Sequence, residues 1–248
     1  MKKLIILFAA SFLLITTNIN AQSIGFVGGL SLSKTKTTQN GTTLPGYGFE
    51  ESYGFLVGHH IGVAFELPLS NNMFFETGLL YTSKGGKNDA KATSTDFLGN
   101  SYTIIEKEEV NLKYFEIPLL FRLKFDVGRF QVYGNFGPYA SVGMSGTIDY
   151  EAEYNYNGDK QTITDKGEIK WLWEQGSRGL MRLDIGMAYG VGVSYNNFHL
   201  RGSFNDGLTN IAGNTDNNYG YSHSIKNRGF RISLGYMIEK SKEQEYVK

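Results

Sequence analysis

From residue 24 onward the chain alternates apolar and polar positions with a period of two, and glycine, β-branched and aromatic residues interrupt every candidate helix. The clearest stretch is 130–144. Phe130, Val132, Phe136, Ala140, Val142 and Met144 fall on one face, and Gln131, Tyr133, Asn135, Ser141 and Gly143 on the other. Residues 180–195 alternate in the same way, with Met181, Leu183, Ile185, Met187, Val191 and Val193 against Arg182, Asp184, Gly186, Gly190 and Ser194. Six more segments, 24–33, 53–69, 73–84, 115–125, 198–205 and 230–238, carry the same pattern. Eight β-strands are predicted.

Their connections alternate in length. Ser70-Asn71-Asn72, Asp126-Val127-Gly128-Arg129 and Asn196-Asn197 are tight-turn residues that tolerate positive φ. The other links, 34–52, 85–113, 145–179 and 206–229, are long and polar. Short turns at one end and long loops at the other predict an all-β fold, an eight-stranded antiparallel up-and-down transmembrane β-barrel. Both termini then lie on the periplasmic, short-turn side. A soluble sandwich would also alternate, but its polar face meets water and carries many Lys, Glu and Asp. Here the polar face is mostly Gly, Ala and Ser, which suits the crowded inside of a small closed barrel. Closure also removes the strand edges that lipid cannot solvate. Phe125, Phe130, Tyr195 and Phe198 flank the short turns, where an interfacial aromatic girdle belongs. Two features break the pattern. His59 falls on the lipid face, and residues 110–114 are out of phase with the strand that follows, which predicts a bulge or an overhang.

Composition alone describes a soluble protein, with 24 basic and 24 acidic residues, 41% hydrophobic residues and a mean hydropathy of −0.27. Alternation accounts for those figures, since only every second strand residue meets lipid. It also explains 31 glycines, 17 Phe and 16 Tyr in 248 residues. The absence of cysteine excludes disulfides, thiolate metal sites and a Cys nucleophile. A neutral chain is a poor nucleic-acid binder. At the N-terminus, Met1-Lys2-Lys3 precedes an apolar run too short to span a membrane, and Asn20-Ala21-Gln22 follows. Residues 1–21 therefore read as a signal peptide cleaved after Ala21, 22–238 as the barrel and 239–248 as a polar periplasmic tail.

The inward positions collect Glu66, Glu76, Glu116 and Asp184 with Arg122, Lys124, Arg182, Arg201 and Arg231, joined by His60 and His199. Carboxylates and histidines in one lumen invite a catalytic reading. Buried charges must be paired, however, and an eight-stranded lumen is just wide enough for such a network to fill. The expected role is structural, with no catalytic residues, no cofactor and no metal. The alternatives are a lipid-modifying enzyme, for which only Ser222-His223-Ser224 offers a weak loop candidate, and a narrow pore. The third long loop is the richest in aromatics, which serve either as recognition anchors or, the expected role, as packing against neighbouring loops or at the lipid headgroups. Tyr150, Tyr154 and Tyr156 alternate with Asp149, Glu151 and Glu153, Asn157-Gly158 is a hairpin signal, and Trp171 and Trp173 lie on the return path. A ribbon with a tyrosine face and an acidic face is predicted there. Its acidic repeats lack EF-hand spacing.

Several segments carry a family resemblance. Phe65-Glu66-Leu67-Pro68-Leu69-Ser70, Glu76-Thr77-Gly78-Leu79-Leu80-Tyr81, Tyr114-Phe115-Glu116-Ile117-Pro118-Leu119-Leu120, Arg182-Leu183-Asp184-Ile185-Gly186 and Gly207-Leu208-Thr209-Asn210-Ile211 occur in order. Together they resemble the PorT-like outer-membrane β-barrel family of Bacteroidetes over nearly the whole mature chain. The resemblance implies an outer-membrane location, an eight-stranded barrel and an assisting role in protein secretion, with components of the secretion system as partners. The residues themselves point to a non-enzymatic barrel in contact with outer-membrane lipid, with an extracellular ligand of the loops as the other expected partner. The ending departs from that family, since ten residues follow the last predicted strand.

Overall fold

The computed structural model describes residues 23–40, 48–95, 100–174, 179–213 and 222–239. The expected signal peptide, its cleavage site and the tail after residue 239 lie outside them, as do the side chains of Ser222 and His223. Twelve strands form among the described residues. They are β1 (Ser23–Asn40), β2 (Gly48–Gly54), β3 (Leu56–Pro68), β4 (Met73–Thr95), β5 (Ser101–Val127), β6 (Phe130–Tyr156), β7 (Asp159–Glu168), β8 (Trp171–Leu172), β9 (Leu180–Met181), β10 (Leu183–Tyr195), β11 (Phe198–Gly207) and β12 (Ser222–Glu239). Eight of them close an antiparallel ring in the order β1-β3-β4-β5-β6-β10-β11-β12. The β12 to β1 pairing, from Ser23 opposite Glu239 to Asn40 opposite Ser222, completes it.

The alternation sorts the side chains by solvent. Outward residues on all eight ring strands are apolar and exposed: Phe26, Val57, Leu79, Phe121, Phe136, Val191, Phe198 and Leu234 range from 43% to 71%. So much apolar surface is incompatible with water and marks the lipid belt. At the short-turn end, the outward rings of Phe130 and Tyr195 and of Phe198 and Tyr236 pair at 5.2 and 5.0 Å. His59 does point outward, against Tyr81. The tight turns use the expected residues, with Gly128 at φ 63° and Asn196 at φ 51°.

Where the belt ends, the strands do not. β4 has 23 residues and β5 and β6 have 27 each, against the 9–11 or so that span a bilayer. Their outer parts form a five-stranded sheet with β2 and β7, in the order β2-β4-β5-β6-β7. Most of 85–113 and 145–168 is thus strand, where long loops were expected. Both faces are polar outside lipid, so the hydrophobic alternation fades while backbone pairing continues. The expected irregularity near 110–114 is a bulge at Lys113 and Tyr114, with Met144 as the extra residue on β6. Asn157-Gly158 makes the predicted hairpin, φ 49° and 99°, between β6 and β7. The strand expected at 180–195 is divided, because the chain bends at Arg182 and leaves Leu180–Met181 to pair with Trp171–Leu172.

Candidate functional site

Two charged clusters fill the lumen. The cluster nearer the short turns is built by β3, β4, β5 and β11. Arg122 donates to Glu66 at 2.7 Å and also pairs with Glu76, Lys124 pairs with Glu66, and Arg201 donates to Glu76 at 2.6 Å. Tyr133 lies 4.4 Å beneath the Arg122 guanidinium, a cation–π contact that a dry site strengthens. The cluster nearer the long strands centres on Glu116. Its carboxylate accepts from Arg231 at 2.6 and 3.0 Å, from Lys84 at 3.0 Å and from the Ser141 hydroxyl at 3.1 Å. Lys84 also reaches Asp184 at 2.8 Å, and Asn227 donates to the same carboxylate at 3.1 Å. Between the clusters the His60 ring contacts the Ser233 hydroxyl at 2.8 Å, and at the short-turn end His199 packs against Tyr133.

Lys84 is the residue that sequence reasoning missed. It stands on the polar side of its predicted strand, but as the last residue before Gly85-Gly86 it is not counted among the inward charges. Arg182 is the reverse case. It lies outside both clusters, donates to the Gly143 carbonyl at 3.0 Å and sits 5.6 Å from the Trp173 ring. The bend at Arg182 takes it out of the inward register. Of the nine charged residues expected in the lumen, the other eight come together, with five cations against four carboxylates once Lys84 is counted.

Large side chains fit because the facing positions are glycine. A Cβ at Gly192 would overlap the Tyr133 ring, and one at Gly186 would overlap Tyr139, which lies 4.2 Å from the Lys84 ammonium. Two cavities of about 10 and 20 Å³ remain among these groups, each with room for about one water. Above them an apolar layer seals the mouth, where Leu112, Tyr114 and Ile211 are fully buried and Ile169, Trp171, Leu180 and Met181 pack against them. Trp171 is therefore part of this seal, edge-on to Tyr114, and not of an exposed recognition surface. The protein reconstituted in planar bilayers is expected to show near-zero conductance. A large steady current would contradict a closed lumen.

The outer sheet has two chemically distinct faces. One continues the lipid-facing side and is laddered with ion pairs: Lys87–Glu109 at 2.8 Å, Lys107–Glu151 at 3.1 Å, Lys160–Glu153 at 2.8 Å and Lys166–Asp149 at 3.2 Å. The other continues the lumen-facing side and carries Tyr102, Tyr150, Tyr154, Tyr156, Ile104, Ile163, Glu106, Glu108 and Asp165. Tyr102 and Tyr156 stack at 4.5 Å, and the Tyr150 hydroxyl donates to Glu106 at 3.0 Å. Among the described residues of the outer parts of these strands, 85–113 and 145–168, no Lys or Arg shares this face. Trp173 is also exposed, near Arg182.

Partial burial, and then the neighbouring Glu106, push the Glu108 carboxyl above its ordinary range. Folding therefore favours its protonated form, and the penalty is greatest at pH values above the raised folded value. It is relieved as pH falls toward the ordinary carboxylate range. Protection from hydrogen exchange in the outer halves of β5 and β6, taken relative to the intrinsic amide rate at each pH, is expected to rise on mild acidification, and Glu108→Gln to raise it at neutral pH and flatten the dependence. A fall in that protection on mild acidification in the native chain would contradict this assignment. At lower pH the opposite trend follows, because Lys160 holds Glu153 below its usual range and that pair is lost on protonation.

Residues 20–213 match the family described as outer membrane protein beta-barrel domain. The chain belongs to that family. Membership places this barrel in the outer membrane and accords with its ring and lipid belt, and the pairing of β12 supplies the eighth strand beyond the matched residues. No curated protein matches it. Among solved structures it is similar to outer membrane protein OprG from Pseudomonas aeruginosa, at 11% identity over 90% of this chain and 98% of that one, TM-score 0.38. It is also similar to AlkL, solved in lipid bilayers, at 13% identity over 89% and 93%, TM-score 0.34. Neisserial surface protein A matches at 10% identity over 86% and 96%, TM-score 0.33.

Proposed function

We infer that this outer-membrane barrel is a non-enzymatic scaffold whose working part is the sheet that rises from it. The observation that carries this reading is the contrast between its two solvent-exposed faces. Four ion pairs neutralise one face, whereas the other combines exposed tyrosines with carboxylates and carries no cation among the described residues. Tyrosine gives large contact area at low entropic cost and is enriched in interface hot spots. Uncompensated carboxylates beside it favour a cationic partner segment. The lumen, filled and sealed, serves to hold the strands at fixed register.

The narrower resemblance to the PorT-like group suggests one partner class, a component of the secretion machinery that exports cargo across the outer membrane. An extracellular ligand is the other. A photo-crosslinking residue placed at Tyr154 in native membranes tests the reading. A discrete crosslinked partner, lost in a Tyr150→Ser/Tyr156→Ser variant that still migrates as a folded barrel, is the expected result. Retention of cargo in the periplasm of that variant would assign the partner to secretion. No adduct from Tyr154 alongside an adduct from the ion-paired face would overturn the assignment of the tyrosine face.

A further inference from the structure

β1 and β12 leave the lipid belt as a paired ribbon with cations in register on its outer side. Leu32 opposite Phe230 is the last apolar outward pair, both 41% exposed. One step further out Lys34 stands opposite Arg228, and one step beyond that Lys36 stands opposite Lys226. Like charges directly opposite each other weaken an antiparallel pair. Arg228 alone has a carboxylate, Asp206 at 2.6 and 3.1 Å. The Lys34 ammonium rests 5.1 Å from the Phe55 ring, and Lys36 and Lys226 have no ion-pair partner among the described residues. The contrast with the outer sheet is direct. There, on the same outward side, Lys87, Lys107, Lys160 and Lys166 each have their own carboxylate.

The position of the block identifies its counter-charge. It faces away from the barrel, on the long-strand side, immediately above residues that touch acyl chains. The layer opposite it is the headgroup region of the outer leaflet. We propose that Lys34, Lys36 and Lys226 bind the phosphate groups of an outer-leaflet phosphorylated glycolipid of the lipid A type. Its acyl chains descend over Phe55, Leu32 and Phe230. The bound anion removes the repulsion between the facing cations and fixes the depth of the barrel in the bilayer. This site stands on the opposite side of the wall from the tyrosine face, so it holds whether or not that face binds a partner.

The test uses the full-length barrel in detergent, with diphosphorylated lipid A as probe and native mass spectrometry as readout. The native protein is expected to retain lipid A under conditions that strip phosphatidylethanolamine. In Lys34→Ala/Lys36→Ala/Lys226→Ala the apparent affinity falls on the order of a hundredfold, given the contribution of each basic side chain at an anionic surface. The matching Lys→Arg triple variant retains it, and Lys107→Ala, at a paired lysine, has no effect. Heat-modifiable gel mobility confirms that each variant is folded. Equal binding of lipid A stripped of its phosphates, or unchanged binding by the alanine triple variant, overturns the site. Equal retention of phosphatidylglycerol overturns the glycolipid assignment and leaves a general anionic-lipid contact.

Discussion

Glu116→Ala is expected to destabilise the folded barrel by about 3–5 kcal/mol, the usual cost of removing one partner from a buried ion pair. Glu116 is 1% exposed and receives four polar contacts, from Arg231 twice, Lys84 and Ser141. Without it Arg231 keeps, among the described residues, only the Thr82 hydroxyl at 3.2 Å, and Lys84 keeps Asp184 at 2.8 Å and the Ser141 hydroxyl at 2.9 Å. Neither cation can reach bulk water past the apolar seal or the second cluster. Equilibrium unfolding by urea in lipid vesicles, with tryptophan fluorescence as signal, measures the loss. Glu116→Gln, which keeps the volume and removes the charge, should fall between native and alanine. Glu153→Ala breaks an exposed, solvent-screened pair and should leave stability nearly unchanged. If Glu116→Ala costs less than about 1 kcal/mol, the lumen holds enough water to screen its charges, and the plugged reading is wrong.

The parts of this fold legible in the sequence are those where two solvents meet across one strand. Between Phe130 and Val142 lipid lies on one side and the lumen on the other, so alternation is strong and register follows. Past Met144 the same strand has polar surroundings on both sides. Thr147 to Tyr156 still alternates tyrosine with carboxylate, which showed the ribbon, but nothing in the pattern showed that β5 would pair with it. Lys84 was illegible for another reason. Its strand-like phase was visible, but the glycines after it suggested a turn, whereas in the fold Gly85 takes φ 134° inside a continuing strand. The error at Arg182 has the opposite origin, a phase extended through a bend that only the seal around Ile211 explains. Trp171 and Trp173 were separable in principle. Two residues apart on the return path, they read either as recognition anchors or as aromatics packed against neighbouring loops, and the fold divides them: the first turns onto Tyr114 and the second stays exposed.

Gly192→Val should impair barrel assembly as strongly as the loss of Glu116 impairs stability, although it deletes no side chain. Gly192 lies directly opposite Tyr133 across the β6–β10 pair that closes the ring. A Cβ there would occupy the space of the Tyr133 ring and lie 2.7 Å from the Leu200 carbonyl oxygen on the other neighbouring strand. The ring cannot simply move, because it supports the Arg122 guanidinium. Overpacking of this kind costs about 1–3 kcal/mol, and lifting Arg122 from its aromatic support adds about 1–2 kcal/mol. The expected result is a sharp fall in the heat-modifiable, membrane-inserted form. Gly128→Ala is the control for glycine lost without a clash. It has open space around its Cβ and only a positive φ to oppose, so it should cost about 1 kcal/mol and still assemble. The companion change Tyr133→Ala separates the two obstacles. If Gly192→Val/Tyr133→Ala restores assembly, the ring is the obstacle, and the glycine at this seam is the socket that lets an aromatic carry a buried cation. If assembly stays lost, the Leu200 carbonyl is what forbids a side chain, and the constraint belongs to the spacing of the strands and not to the charge cluster.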